Sequence, residues 1–192
     1  VSRQISDALV TQLPSSSHMH FKPFTMSRSF RVMMCYRIYR RVTVMIRELR
    51  KADINKVEDI WLDTNRKAHY FIPAQYWKDN FELVKELLLQ ATVYVYEENQ
   101  EIQGFIGLND EYIEGIFVSD EMQSQGIGKI LLNYAKNTRN KLFLDVYQKN
   151  TPAISFYQRE GFEIQYSGLD EVTGEKDYVM AWERTSSSVK SK

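Results

Sequence analysis

The stretch Val118-Ser119-Asp120-Glu121-Met122-Gln123-Ser124-Gln125-Gly126-Ile127-Gly128-Lys129 carries the first chemistry in this chain. It reads as a strand end, a turn containing Gln-x-x-Gly-x-Gly, and the start of an apolar helix. Glycines at 126 and 128 let a backbone approach a ligand closely. The first N–H groups of the following helix have no partner within the helix and point at that ligand. The product is an anion site that a pyrophosphate would fit. Gly-x-Gly alone is equally a tight turn at a close helix–strand contact. Two other phosphate patterns fit worse. The Walker loop needs Ser or Thr after Gly-Lys, and here Gly128-Lys129 is followed by Ile130. The dinucleotide fingerprint needs Gly or Ala at 131, where Leu stands.

A second segment lies downstream. Leu144-Asp145-Val146-Tyr147-Gln148-Lys149-Asn150 reads as a buried strand and a short turn. Thr151-Pro152-Ala153-Ile154-Ser155-Phe156-Tyr157-Gln158-Arg159-Glu160 reads as a helix. Thr151 is the expected cap, Pro152 suits the first turn, and Gly161 is expected to end the helix ahead of Phe162. The two segments together resemble the acetyl-coenzyme A site of the GNAT N-acetyltransferases. Val-x-x-x-x-Gln-x-x-Gly-x-Gly looks like that family's pyrophosphate loop. Asn150, Ala153, Phe156, Tyr157, Gly161 and Phe162 match its second half. The resemblance runs from Met45 to about Arg184. In its wording it is similar to small bacterial single-domain members linked to peptidyl-lysine acetylation.

The resemblance implies direct attack of an amine on acetyl-CoA, a co-substrate, in a ternary complex with no metal. It implies that main-chain groups of Ile116, Phe117 and Val118 pair with the pantetheine arm. Gln123, Gln125, Gly126, Ile127, Gly128 and Lys129 would surround the pyrophosphate. Many relatives carry Arg where Gln123 and Gln125 stand, so this site would rely on backbone donors. Asn150, Ala153 and Phe156 complete the implied cofactor set; a turn or cap role for Asn150 is the alternative. Tyr157 is the implied general acid. Coenzyme A leaves as a thiolate, and a phenol of pKa near 10 is reliably protonated at neutral pH. Its alternative is an aromatic anchor.

An attacking lysine must first lose a proton, because its ammonium titrates near 10.4. Strand alternation puts Tyr112, Glu114 and Ile116 on one face. Glu114 is therefore the candidate base, acting directly or through water; a solvated strand carboxylate is the alternative. Tyr112 could line the acceptor site. His69 and Phe71 fall in a loop that borders the acceptor groove in this family, although a packed histidine remains open for His69. Small-molecule acceptors (polyamine, amino acid or aminoglycoside) are the alternative substrates. A non-catalytic acetyl-CoA binding module is the alternative class.

These residues need elements to position them. Met45–Arg50 reads as a strand, and a helix runs from Ala52 to Ala68 with Ile54, Val57, Ile60 and Trp61 at helical spacing. A second helix is expected from Pro73 to Gln90, with Trp77, Phe81, Val84, Leu87 and Leu88 on one face. Strands follow at 92–96, 102–108, 112–118 and 141–147, with a helix over 126–139 between the last two. A helix over 151–160 and strands over 162–167 and 176–182 complete the order. This predicts an α/β class: a mixed central sheet with helices on both faces. It matches the GNAT fold, in which strands four and five splay apart.

Composition narrows the rest. Twenty-five basic residues balance 25 acidic ones, but residues 1–44 carry seven basic residues against Asp7 alone. That segment is expected to be a basic extension outside the fold, with residues 45–184 forming the transferase domain and 185–192 a loose tail. A nucleic-acid-binding arm or a transit peptide is the alternative for the leader. The remaining net negative charge suits a cationic acceptor. The single cysteine, Cys35, excludes an intrachain disulfide and fits a cytoplasmic setting. No stretch of 18 apolar residues exists, so no membrane partner is expected. A monomer or homodimer is expected.

Overall fold

The computed structural model describes residues 43–185. The basic leader up to Val42, with Cys35, and the tail from Ser186 lie outside the described residues. The fold begins with β1 (Val44–Glu48), a single 3-10 turn (Lys51–Asp53) and α1 (Ile54–Ala68). Next come α2 (Ala74–Asp79), α3 (Phe81–Gln90), β2 (Thr92–Glu98), β3 (Glu101–Asn109) and β4 (Tyr112–Val118). After a second 3-10 turn (Asp120–Met122) come α4 (Ile127–Thr138), β5 (Lys141–Tyr147), α5 (Thr151–Arg159), β6 (Glu163–Leu169) and β7 (Lys176–Glu183). β1 takes in Val44, which pairs with Glu98, so the strand starts one residue earlier than the sequence suggests.

The seven strands form one sheet in the order β1-β2-β3-β4-β5-β7-β6. Each neighbouring pair is antiparallel except β4 and β5. Two apolar clusters flank the sheet. On one face Val57, Ile60 and Trp61 of α1, Trp77 of α2, and Val84 and Leu88 of α3 pack on Val95, Phe105 and Phe117. On the other, Leu131 and Leu132 of α4 and Ala153, Phe156 and Tyr157 of α5 pack on Ile106, Ile116, Leu144 and Val146. The alternation along β5 follows this division: Leu142, Leu144 and Val146 face α4 and α5, while Tyr147 joins the opposite cluster.

Three local expectations are corrected. The helix expected over 73–90 is two helices meeting at Asn80, whose side-chain amide donates to the Tyr76 carbonyl at 2.8 Å. A polar side chain that bonds its own preceding turn competes with helix continuation. The cap of α5 is Asn150, not Thr151: Asn150 Oδ1 accepts from the Ala153 N–H at 3.2 Å. Simple alternation fails in β4. Gly107 pairs with Gly115 while Leu108 pairs with Ile113, so Glu114 is an extra residue in the strand. Ile113 and Ile116 thereby share the α4/α5 side, and Ile116 does not share a face with Tyr112 and Glu114.

β3 supports β4 closely. A side chain at Gly104 would place its Cβ 2.7 Å from the Phe117 carbonyl oxygen. Gly104→Ala is expected to displace β4 at Phe117–Val118, lowering stability by about 1–3 kcal/mol. Thermal melts of the two proteins check this, and an unchanged melting temperature would mean β4 yields freely at that point.

Candidate active site

β4 and β5 run parallel but pair only at Tyr112 and Phe143, where the Phe143 N–H donates to the Glu111 carbonyl at 2.9 Å. Beyond that point the strands part, while β3 continues to pair with β4 through Ile116, Phe117 and Val118. The far edge of these three residues therefore faces the gap. Main-chain groups along such an edge suit an extended ligand that adds to the sheet.

The loop after β4 closes this gap at one end. Gly126 adopts φ 85°, a left-handed conformation that glycine takes without steric cost, and caps α4. A Cβ at Gly126 would meet nothing within 4 Å, so the space there is open. No side chain caps α4 among the described residues, and the chain's first-turn N–H groups face that opening. Ile127 and Gly128 are buried behind them. The two glutamines brace the loop. Gln123 Nε2 donates to the Val118 carbonyl at 3.1 Å, and Gln125 Nε2 to the Glu121 carbonyl at 3.0 Å. Lys129 pairs with Glu160 at the end of α5, at 3.1 Å. Backbone donors and glycine, rather than a cluster of cations, are what this loop offers an anion.

Ala153, Phe156 and Tyr157 project from α5 into the cluster that holds Ile116, Val118 and Val146, the residues on either side of the gap. Tyr157 is fully buried, with its ring edge-on to Phe156 at 5.2 Å and to Phe162 at 5.4 Å. As expected, Gly161 ends α5 in a left-handed conformation, φ 86°, and the Phe162 N–H closes back on the Tyr157 carbonyl at 2.9 Å.

A cavity of about 400 Å³ opens on the α1 side of the sheet, lined by Asn109, Tyr112, Glu114, Phe143, Asp145, Tyr166 and Val179. Glu114 and Asp145 put two buried carboxyl groups on neighbouring strands, between aromatic walls. Glu114 Oε2 has no hydrogen-bond partner among the described residues. Burial pushes the Glu114 carboxyl up to about 7; a hydrogen bond with Asn109 opposes the shift and the Asp145 charge adds to it. A carboxyl titrating there can accept a proton near neutral pH.

His69 does not border this cavity. It is buried completely, stacked on Trp77 at 5.2 Å and edge-on to Tyr147 at 5.2 Å. Desolvation holds its pKa down at about 3, so the imidazole is neutral at physiological pH, and its complete burial keeps it off the cavity. Phe71 packs over Tyr147 with Lys149 Nζ 5.2 Å from its ring. Sequence reasoning passed over Asp145, Phe143 and Tyr166 because β5 and β6 carry no motif at those positions. A carboxylate inside an otherwise apolar strand was the available signal for Asp145. No group of metal-ligating side chains occurs among the described residues. No helix among them is long and apolar enough to cross a membrane.

A family model described as an acetyltransferase (GNAT) domain matches residues 90–164. The chain is 35% identical over 140 residues to peptidyl-lysine N-acetyltransferase YiaC of Escherichia coli, covering 72% of this chain and 96% of that protein. It belongs to the GNAT acetyltransferase family. A second GNAT relative, peptidyl-lysine N-acetyltransferase YjaB of Salmonella typhimurium, is 32% identical over 130 residues, 67% of this chain and 88% of that protein. The solution structure of apo YjaB from Escherichia coli matches with a TM-score of 0.67 at 23% identity, covering 74% of this chain and 99% of that one. The fold is thus the GNAT fold, and the protein is an acetyl-CoA-dependent N-acetyltransferase that needs an amine acceptor.

Proposed function

We propose that the acceptor is the side-chain amine of a lysine within a peptide, and that the Glu114 cavity receives it. The carrying observation is the pair of buried carboxyl groups, Glu114 and Asp145, between aromatic side chains beside the β4/β5 gap. A cationic amine on a long alkyl stem suits such walls. Two relatives named as peptidyl-lysine N-acetyltransferases support the same acceptor.

The gap and the open Gly126 turn fit the shape and charge of acetyl-CoA. When bound, that co-substrate supplies an acetyl thioester. Ile116, Phe117 and Val118 hold it through their main chain, and the loop from Gln123 through Gln125, Gly126, Ile127 and Gly128 to Lys129 receives its pyrophosphate. Asn150, Ala153 and Phe156 form the opposite wall. Tyr112 lines the Glu114 cavity and guides the acceptor, whereas Phe71, packed on Tyr147, and the buried His69 stand outside it. Glu114 takes the proton from the docked ammonium, so the neutral amine can attack. Tyr157 passes its phenolic proton to the departing sulfur. The −6 left on residues 45–192 by the basic leader favours a cationic partner. Residues 1–43 are assigned outside this machinery, 44–184 to the domain itself, because Val44 already pairs with Glu98 in β1, and 185–192 to a tail. A single cysteine, Cys35, supports a cytoplasmic setting for the enzyme.

Thiol release from acetyl-CoA tests the acceptor. Lysine-containing peptides are expected to give kcat/KM at least about tenfold above free lysine and spermidine. A preference for spermidine or free amino acids would replace the peptide reading with a small-molecule one.

A further inference from the structure

The buried His69 sits within a continuous line of hydrogen bonds between two helices. At one end, Asn65 Nδ2 donates to the Trp61 carbonyl of α1 at 2.9 Å. That leaves Asn65 Oδ1 turned toward His69 Nδ1, 3.1 Å away. A carbonyl oxygen only accepts, so His69 Nδ1 carries the ring proton and Nε2 is bare. At the other end, the Ala153 N–H of α5 donates to Asn150 Oδ1, which turns the Asn150 amide nitrogen toward His69 Nε2 at 3.4 Å. The two ends orient their amides independently, and they agree. Donors and acceptors alternate in one direction: Ala153 to Asn150, Asn150 to His69, His69 to Asn65, Asn65 to Trp61.

The direction has a chemical requirement. A second ring proton would set Nε2–H against the Asn150 amide N–H groups, donor against donor. The chain is intact only with neutral His69, and its burial among Phe71, Trp77 and Tyr147 keeps it neutral. His69 thus meets Asn150 across 81 residues of sequence, joining the end of α1 to the start of the helix that carries Tyr157.

We propose that His69 is a positioning residue that acts through Asn150, fixing the orientation of its amide and of the first turn of α5 beside the β4/β5 gap. This rests on the assignment of Asn150 and Tyr157 to the acetyl-CoA site. Aligned hydrogen bonds polarise one another, so the links in such a chain depend on each other.

The test uses the full chain with His69→Phe, His69→Gln, Asn150→Ala and the double variant His69→Phe/Asn150→Ala. Phe keeps the stack on Trp77 and removes the acceptor; Gln restores an acceptor oxygen near the Nε2 position. His69→Phe is expected to lower kcat/KM for acetyl-CoA roughly tenfold, and His69→Gln to recover most of it. In the Asn150→Ala background, His69→Phe is expected to add nothing further. Losses that multiply in the double variant, or no recovery by Gln, would overturn the proposal. Nitrogen NMR of the intact protein needs no variant and does not depend on folding of one. It should show His69 protonated on Nδ1, bare on Nε2, and unchanged between about pH 5 and 8. Protonation on Nε2 would also overturn it. If Asn150→Ala leaves kcat/KM intact, the assignment of Asn150 to the acetyl-CoA site fails instead. The NMR tautomer and the shift of the Asn150 amide signals in His69→Phe then decide the positioning role by themselves.

Discussion

Tyr157→Phe is expected to lower kcat about 10²–10⁴-fold while leaving acetyl-CoA affinity and folding nearly unchanged. The substitution removes one oxygen from a ring that is already held on two sides by Phe156 and Phe162. Phe fills the same volume, so no cavity forms in the cluster around α5. What disappears, on the proposed role of Tyr157, is a proton donor for the leaving thiolate. At neutral pH, expulsion of an unprotonated thiolate remains feasible, since a thiol of pKa near 8.5 is a moderate leaving group, so residual turnover is expected. Steady-state kinetics with a saturating amine, alongside acetyl-CoA titration by calorimetry, make the check. Full activity in the variant would reduce Tyr157 to a packing residue, and acetyl-CoA affinity lost in proportion to kcat would make it a binding group.

Glu114→Gln is expected to give the second-largest loss, again about 10²-fold or more in kcat/KM for the acceptor, and to change its shape with pH. In the wild type kcat/KM should climb with pH through an apparent pKa near 7, as burial sets that carboxyl's titration. With Gln in place, that limb should disappear and the slow rate should follow the free amine's own ionisation at higher pH. The stability effect has the opposite sign. The folded pKa of about 7 lies above the ordinary carboxyl value of 4.5, so the folded protein holds its proton longer than the unfolded chain. Ionisation costs stability progressively as pH rises from 4.5 through 7. Glu114→Gln is spared that cost and should melt no lower than wild type at alkaline pH. Loss of activity together with a retained or raised melting temperature separates a missing base from a damaged fold. A wild-type limb that persists in the variant would assign the base elsewhere.

The turn geometry of the motifs and the order of elements were readable because they depend on local signals. Gly126 declares a left-handed turn, Gly161 a helix end, and the period-two and helical patterns of apolar residues place the strands and helices. The faces of β4 were not readable. One extra residue at Glu114 shifts every side chain after it to the other side, and nothing in Tyr-Ile-Glu-Gly-Ile announces that register. Asn80 and Asn150 show the same limit, since an amide may cap, break or bridge depending on what the fold brings near it. The bond from Asn150 to His69 joins residues 81 apart, beyond the reach of any local pattern. A signal did exist at the end of α1. Asn65 on its buried side and His69 just past its last residue are four apart, where apolar residues are otherwise expected, and buried polar pairs at that spacing usually hydrogen-bond.

The single pairing of Tyr112 with Phe143 leaves the sheet as two leaves, β1–β4 and β5–β7–β6, stitched at one end. A pantetheine arm lying between them would serve as the missing seam, and its main-chain bonds would have to be unpicked as a run before coenzyme A could depart. Product escape from such a seam would be a conformational step, one that could limit turnover alongside the transfer itself.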